Sequence, residues 1–522
     1  MDTDKKEKSL KEQINEIIGN ETNDNSPQRL TIRYRPPSYQ TPKHDAKDDA
    51  IFLAIEQFQQ RGISYEGATW LGYDFIKKYE EELNLKDNVI FNKDIYEPLD
   101  NSIWYPSAIK CTKEYLSKVN CGEYECPEEP SNWSGWKFSY CAQKNKRQKM
   151  EDKFVALPTL SLLDDNTKTS FFGVFDGHNG SEISSYCAAH FPRIVVNEKN
   201  DNNVERLKKA FEVIDERINI RCTKESIRSG STAICTLVTE NDISIAWVGD
   251  SEGAVISSKG IKRITRLHIP SDPDEYARIE KCGGIIIPIA GELRVCGILN
   301  LTRALGDIQG KPMISSEPDT ISLNINDDKT NYMLMLASDG VWGSLSDKML
   351  NQIILEFISM KPISEYKKLS TTIVEAARDA GTTDNLTCII VFLKPLDECT
   401  EKENANFDEI SLAVYCSLDV ICEDKDRTPS SSRTQELYVG LLLEDNKRKF
   451  YGFLTNTNHK IIFVFDQPQE PSLIYKDHDI RVLFSRVHAA LCSAFMNPFY
   501  QIGEPLNSKI LNKVTNEILL AQ

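Results

Sequence analysis

Apolar residues recur along this chain with two different periods. In DAIFLAIEQFQQRG, Ile51, Phe52, Ala54, Ile55 and Phe58 fall on one helical face, and TWLGYDFIKKYEEELN has the same period. Residues 46–135 therefore read as a helical region. From 136 to 396, short β-rich runs alternate with longer helical ones. SFFGVFD, STAICTLVTE, DISIAWVGD, GAVISS, YMLMLASDG and LTCIIVFL are rich in Val, Ile, Phe and Thr and are bounded by Gly, Asp or Ser, which predicts strands. SEISSYCAAHF, VERLKKAFEVIDERI, DEYARIEKCGG, SDKMLNQIILEFIS and STTIVEAARDAG predict helices. Asn241-Asp242 supplies turn chemistry between two of the strands. Strands that follow one another without crossover helices predict an α+β fold: antiparallel sheets with helices packed outside them.

The flanks differ. Residues 1–45 are polar and charged and read as a disordered tail. A polar break, KPLDECTEKENANFDE, contains a linker at 397–407. Residues 408–522 read as a separate α+β domain. A helix (SLAVYCSLDVI) and a Ser/Pro-rich loop precede three strands, ELYVGLLLED, KFYGFLTN and KIIFVFDQ. Two helices follow, DIRVLFSRVHAALCSAF and KILNKVTNEILLA.

Composition narrows the function. With 522 residues, of which 40% are hydrophobic, the chain can bury more than one core. A net charge of −16 argues against non-specific nucleic-acid binding. The 14 Cys contain no CxxC pair, which argues against a zinc site and for free thiols in a reducing compartment. The start, MDTDKKEKSL, has no apolar signal region, and no run approaches the ~18 apolar residues of a membrane span. A cytoplasmic setting is expected, with the nucleus or the periphery of secretory-pathway membranes as alternatives.

Four acidic clusters stand at the edges of apolar runs: Glu151–Asp152 in KMEDKF, Asp176 in FFGVFDGHNG, Asp339 in MLMLASDG and Asp384 in TTDNLTCIIVFL. A strand that ends in Asp carries a carboxylate to solvent, and a sheet can bring several such ends together. Gathered carboxylates repel one another unless a cation lies among them. Hard oxygen donors suit Mg²⁺ or Mn²⁺, and paired ions of this kind split phosphate esters. Taken singly, an Asp at a strand end is usually a turn former.

Eight blocks in order, RQKMED, FGVFDGHNG, SGSTA, VGDSEG, ARIEKCGG, RALGD, ASDGVW and DNLT, resemble the metal-dependent Ser/Thr protein phosphatases of type 2C. KMEDKF, AWVGDSEGAVISSKG and AARDAG–DNLT–VFL look nearest to the branch acting on calmodulin-dependent kinases, which includes a nematode sex-determination phosphatase. The resemblance implies an αββα sandwich and hydrolysis of phosphoserine and phosphothreonine by water bound to two Mn²⁺ or Mg²⁺ ions. It implies that Asp176 bridges the ions. Glu151 and the Gly177 carbonyl would hold one, Asp339 and Asp384 the other, and Asp152 would lie in the same shell. Arg147 matches the family's phosphate-binding arginine, and His178 its general acid. For Asp152, orienting a second-shell water stays open; for Arg147, so does a solvated face in KNKRQK.

Two departures bear on metal content. Leu267 and Gly343 stand where the family usually has Asp, so a third metal site is expected to be weak or absent. An inactive or weakly active phosphatase-fold scaffold is therefore the alternative to an enzyme. Cys222 and Arg228 have the Cys-x5-Arg spacing of a cysteine-dependent phosphatase, but no Gly-rich anion cradle surrounds them. In the C-terminal segment, SLDVI, YGFLTN and MNPFY resemble the sedlin-like, subunit 2-like component of the TRAPP vesicle-tethering complex, a longin-like fold. The family's first two strands are missing, so the implied domain is truncated, with an unpaired sheet edge. Expected partners are phosphorylated proteins and, through 408–522, TRAPP-type subunits; a vesicle-tethering adaptor is a further alternative.

Overall fold

The computed structural model describes residues 8–23, 38–85, 91–130, 133–164, 167–257, 260–289, 291–325, 331–395, 438–444, 448–455, 460–466, 477–495 and 513–514. The chain divides into two compact units, Met1–Thr400 and Glu401–Gln522.

The tail expected to be disordered carries structure. Helix α1 (Leu10–Asn23) packs on α4 (Asn101–Cys121). Leu10, Ile14, Ile17 and Ile18 recur at helical spacing, and Ile14 is buried. Charged neighbours dilute this stripe in the average composition, which is why the segment reads as disordered. Strand β1 (Gln40–Pro42) pairs with β2 (Pro98–Asp100). Helices α2 (Ala46–Gln60) and α3 (Tyr65–Tyr79) pack together. The Ser64 side chain caps α3 by accepting from Gly67 N, and Asp100 caps α4 by accepting from Ser102 N.

The centre is a sandwich of two five-stranded antiparallel sheets. One has the order β11-β10-β16-β17-β3, with β3 Phe138–Gln143, β10 Glu252–Ser257, β11 Gly260–Arg263, β16 Asn331–Ala337 and β17 Leu386–Phe392. The other has the order β15-β9-β8-β5-β4, with β4 Lys153–Leu157, β5 Ser170–Phe175, β8 Ala233–Val238, β9 Asp242–Val248 and β15 Asp319–Asn324. The β8–β9 turn centres on Glu240–Asn241, one residue earlier than expected, because Val238 pairs with Ile243 and Asp242 already belongs to the strand.

Alternation along the strands builds the layers. Phe172 and Val174 point between the sheets, with Ile234, Ile245, Leu334, Leu336, Ile389 and Val391. Phe171 and Phe175 point outward to Phe191 of α5 (Glu182–Asn197) and Phe211 of α6 (Asn203–Glu225). On the opposite side, Met333, Met335, Cys388 and Ile390 pack under α9 (Asp347–Met360) and α10 (Leu369–Asp379). The layers are αββα, as expected. Smaller elements complete the unit: β6 (Gly177–His178), β7 (Gly230–Ser231), α7 (Pro273–Lys281), the hairpin β12 (Ile286–Ile289) and β13 (Glu292–Val295), β14 (Leu305–Gly306) and α8 (Asp339–Trp342).

In the second unit, β18 (Tyr438–Glu444), β19 (Arg448–Leu454) and β20 (Lys460–Asp466) form an antiparallel sheet. Helix α11 (Asp477–Phe495) buries Ile480 and Phe484 against Phe453 and Phe465. The expected SLDVI helix lies outside the described residues, as does nearly all of the final helix. No described helix is long and apolar enough to cross a membrane.

Candidate active site

Sheet register brings the acids together. Phe175, the last residue of β5, pairs with Lys153, so Asp176 lies beside Asp152. Ala337, at the end of β16, pairs with Cys388 of β17 and with Glu252 of β10. That places Asp339, Asp384 and Asp250 at one end of the sandwich. Cross-bonds hold this end: Ser338 N donates to Thr387 O at 3.0 Å, and Thr387 N donates to Ser338 Oγ at 3.1 Å.

Asp152 is 2% exposed and accepts from Thr387 Oγ1 at 2.8 Å. Asp176, Asp250, Asp339, Asp384 and Glu151 each keep a partly accessible face. Burial is the largest influence on Asp152, Asp176, Asp250 and Asp339. Asp176 is pushed well above the usual carboxylate range by burial and by the charges of Asp152, Asp339 and Asp250. Burial pushes Asp152 up to about 7 against the hydrogen bond from Thr387. Burial and the charge of Asp339 push Asp250 up to about 7. Asp339 is raised by burial, with Asp384 adding repulsion.

The neighbouring backbone is pinned. Glu151 N donates to Asn385 Oδ1 at 2.7 Å, and Asn385 Nδ2 donates to Lys144 O and Lys149 O at 2.9 and 3.0 Å. Asn385 thus staples the loop bearing Arg147 and Glu151 onto the start of β17. Ser184 Oγ, on α5, donates to Glu151 O at 2.5 Å. A Cβ at position 177 would overlap Glu151 O and come within 2.7 Å of Ser184 Oγ, so only glycine fits there.

Arg147 Nη2 donates to Asp384 Oδ2 at 2.6 Å, and its side chain is 57% exposed. His178 lies on β6 with Nε2 2.6 Å from Asp307 Oδ2. The expected residues therefore share one end of the fold. Among the described residues, no three His, Cys, Asp or Glu side chains close into a preformed metal-binding group. The carboxylates stand near enough to repel but are not gathered on one point. Hard oxygen donors with accessible faces nevertheless have the chemistry that divalent hard cations satisfy.

Leu267 and Gly343 present no side-chain oxygen, whereas Asp250, unassigned in the sequence reading, stands electrostatically beside Asp339. Asp307 was also unassigned. Both lie within the blocks VGDSEG and RALGD, each an acid directly after a glycine at or just past a strand end, and that was the available signal. Cys222 is buried in α6 with its thiol pushed up to about 12 by burial, the opposite of an activated thiolate.

Residues 136–386 match the family described as Protein phosphatase 2C, and residues 382–519 match Sedlin. Protein phosphatase fem-2 of Caenorhabditis elegans is 34% identical over 385 residues, covering 70% of this chain and 84% of that protein. Protein phosphatase 1E of Mus musculus is 33% identical over 268 residues, covering 50% of this chain and 35% of its own. A solved structure described as a C. elegans sex determining protein has a TM-score of 0.66 at 32% identity, covering 75% of this chain and 96% of that one. The similarity to fem-2 spans most of both chains and therefore runs beyond the matched phosphatase segment. With a sedlin-like segment at its C-terminal end, the chain belongs to the protein phosphatase 2C family of Ser/Thr phosphatases.

Proposed function

We propose that this chain is a Mn²⁺- or Mg²⁺-dependent protein phosphatase that hydrolyses phosphoserine and phosphothreonine. The observation that carries the reading is the meeting of Asp152, Asp176, Asp339 and Asp384, from strands far apart in sequence, at one end of the sandwich. Glu151, Asp176, the Gly177 carbonyl, Asp339 and Asp384 would hold two ions, with Asp152 behind them. Those ions would supply Lewis-acid stabilisation of the phosphoryl oxygens and a lowered pKa for the attacking water. Arg147, largely exposed beside Asp384, offers a planar fork to the phosphate oxygens. His178 gives a proton to the departing Ser or Thr oxygen, a poor leaving group when anionic. Asp250 adds negative charge beside Asp339, where Leu267 and Gly343 provide no ligand for a third ion. The KMEDKF and AWVGDSEG blocks, with the extended similarity to fem-2, support placement in the branch acting on calmodulin-dependent kinases.

Phosphate release from a phosphothreonine peptide with millimolar Mn²⁺ tests this. Chelator and Asp176→Asn should each lower the rate by at least ~100-fold. Equal rates in wild type and Asp176→Asn would reject it in favour of a phosphatase-fold scaffold.

The sedlin-like unit supports a second role as a docking module for TRAPP-type subunits, since α11 covers a three-stranded sheet in a compact unit of its own. Full-length chain should co-elute with purified tethering subunits; separate elution at micromolar concentrations would reject that role.

A further inference from the structure

We infer that Asp307 is the positioning residue for His178, holding the ring by Nε2 so that Nδ1 is the nitrogen that serves the leaving group. The inference rests on the general-acid role proposed for His178. Asp307 Oδ2 lies 2.6 Å from His178 Nε2, and the Asp307 side chain is 6% exposed against 22% for the imidazole. One ring edge is therefore tied to a buried carboxylate, while the imidazole as a whole keeps a partly accessible surface.

Local backbone is arranged around this pair. His178 pairs with Gly230 across β6–β7, and Gly306 pairs with Gly230 across β14–β7, which brings the residue after Gly306 onto the ring. A Cβ at position 230 would overlap both Asp307 Oδ2 and His178 Nε2, so the pair requires glycine there. Asp307 itself has φ 45° and ψ 42°, a left-handed conformation that costs a non-glycine residue energy and that is held here by the surrounding chain. Gly310 N donates to Asp307 O at 2.7 Å, and Gly306 at φ 81° continues the turn.

The proton path balances. Water gives up one proton to solvent as it forms a new bond to phosphorus, while the bond from phosphorus to the Ser or Thr oxygen breaks. The Nδ1 proton passes to that oxygen, and the alcohol leaves. Asp307 accepts the Nε2 proton's hydrogen bond throughout and stabilises the ring while it carries charge, a tautomer-fixing task known from carboxylate–histidine pairs elsewhere.

The experiment compares two leaving groups. A phosphothreonine peptide needs the proton, whereas p-nitrophenyl phosphate releases a stable phenolate without it. Asp307→Asn should lower kcat on the peptide by roughly 10–100-fold, with KM within about threefold and a loss on p-nitrophenyl phosphate at least tenfold smaller. His178→Gln should show the same selectivity, and the double variant should fall no further than His178→Gln alone. Equal losses of Asp307→Asn on both substrates, or no loss on either, would overturn the role of Asp307. If His178→Gln lacks leaving-group selectivity, the general-acid reading fails instead. Long-range ¹H–¹⁵N correlation of metal-free wild-type protein gives a readout independent of turnover. With the ring neutral, the proton should sit on Nε2 of His178, and finding it on Nδ1 would refute the assignment.

Discussion

The junction between the N-terminal helices and the phosphatase sandwich is ionic and buried, and its strength should depend on pH. His190 of α5 is fully buried. Its Nε2 lies 3.0 Å from Asp49 Oδ1, and its Nδ1 lies 3.6 Å from Asp48 Oδ2 and 4.0 Å from Asp45 Oδ1. Arg193 bonds Asp48 at 2.5 Å, while Arg217 and Arg221 each stand 3.7 Å from Asp45 and Asp49 respectively. Tyr186 packs against the ring at a 40° tilt, with centroids 4.1 Å apart. Burial alone would lower the imidazole pKa, but Asp45, Asp48 and Asp49 outweigh it and raise the ring from 6.5 to about 9. That rise is worth about 3 kcal/mol of folding stability. Below pH 6.5 the ring is protonated in both folded and unfolded chains, and the contribution is complete. As pH climbs through about 9 the folded ring loses its proton, and the contribution disappears. Urea unfolding of wild type and His190→Gln from pH 6 to 9.5 measures this. Wild type should be the more stable at pH 6, and its lead should shrink by about 3 kcal/mol across the range. Taking the difference removes the ionisation of unfolded cysteines, which also favours unfolding at high pH. A lead that stays constant with pH would show that folding leaves the His190 pKa unshifted, and a lead that rises with pH would show that the ring is neutral in the fold; either would refute the reasoning. The same helix carries Ser184, which holds the Glu151 carbonyl, so a loosened junction should also be felt at the site.

Two further outcomes follow from the geometry. Cys222→Ser should leave phosphate release within about twofold of wild type, because a buried thiol with a raised pKa is no nucleophile; a loss above tenfold would revive the Cys-x5-Arg reading. Gly177→Ala should cut kcat by about 100-fold, because its methyl would displace the Glu151 carbonyl and misplace neighbouring ligands by a fraction of an ångström or more. Steady-state kinetics reads the effect, and near-wild-type turnover would show that this backbone approach is unimportant.

Much of the fold was legible because the central strands are buried on both faces. SFFGVFD and LTCIIVFL could hardly be anything but sandwich strands once bounded by turn residues. β3, β4 and β15 were missed: FSYCAQ, KFVAL and DTISLN mix polar and apolar residues too briefly to declare a period. Helix α1 was hidden for a related reason, since only its partner α4 gives its four apolar residues somewhere to go. In the site, Glu151, Asp176, Asp339 and Asp384 could be named from ordered motifs. Asp250 and Asp307 sat in motifs too, yet nothing local tied them to an acid or a histidine more than 70 residues away.

Amino-acid order alone therefore determined most of the central strands, which acids stand at their ends, and the family those motifs mark. The tertiary structure decided who meets whom: Asp307 with His178, Asn385 with Glu151, His190 with three aspartates. Such pairs depend on strand register and helix packing between distant segments, and side-chain chemistry at one position does not encode its partner's place in the chain.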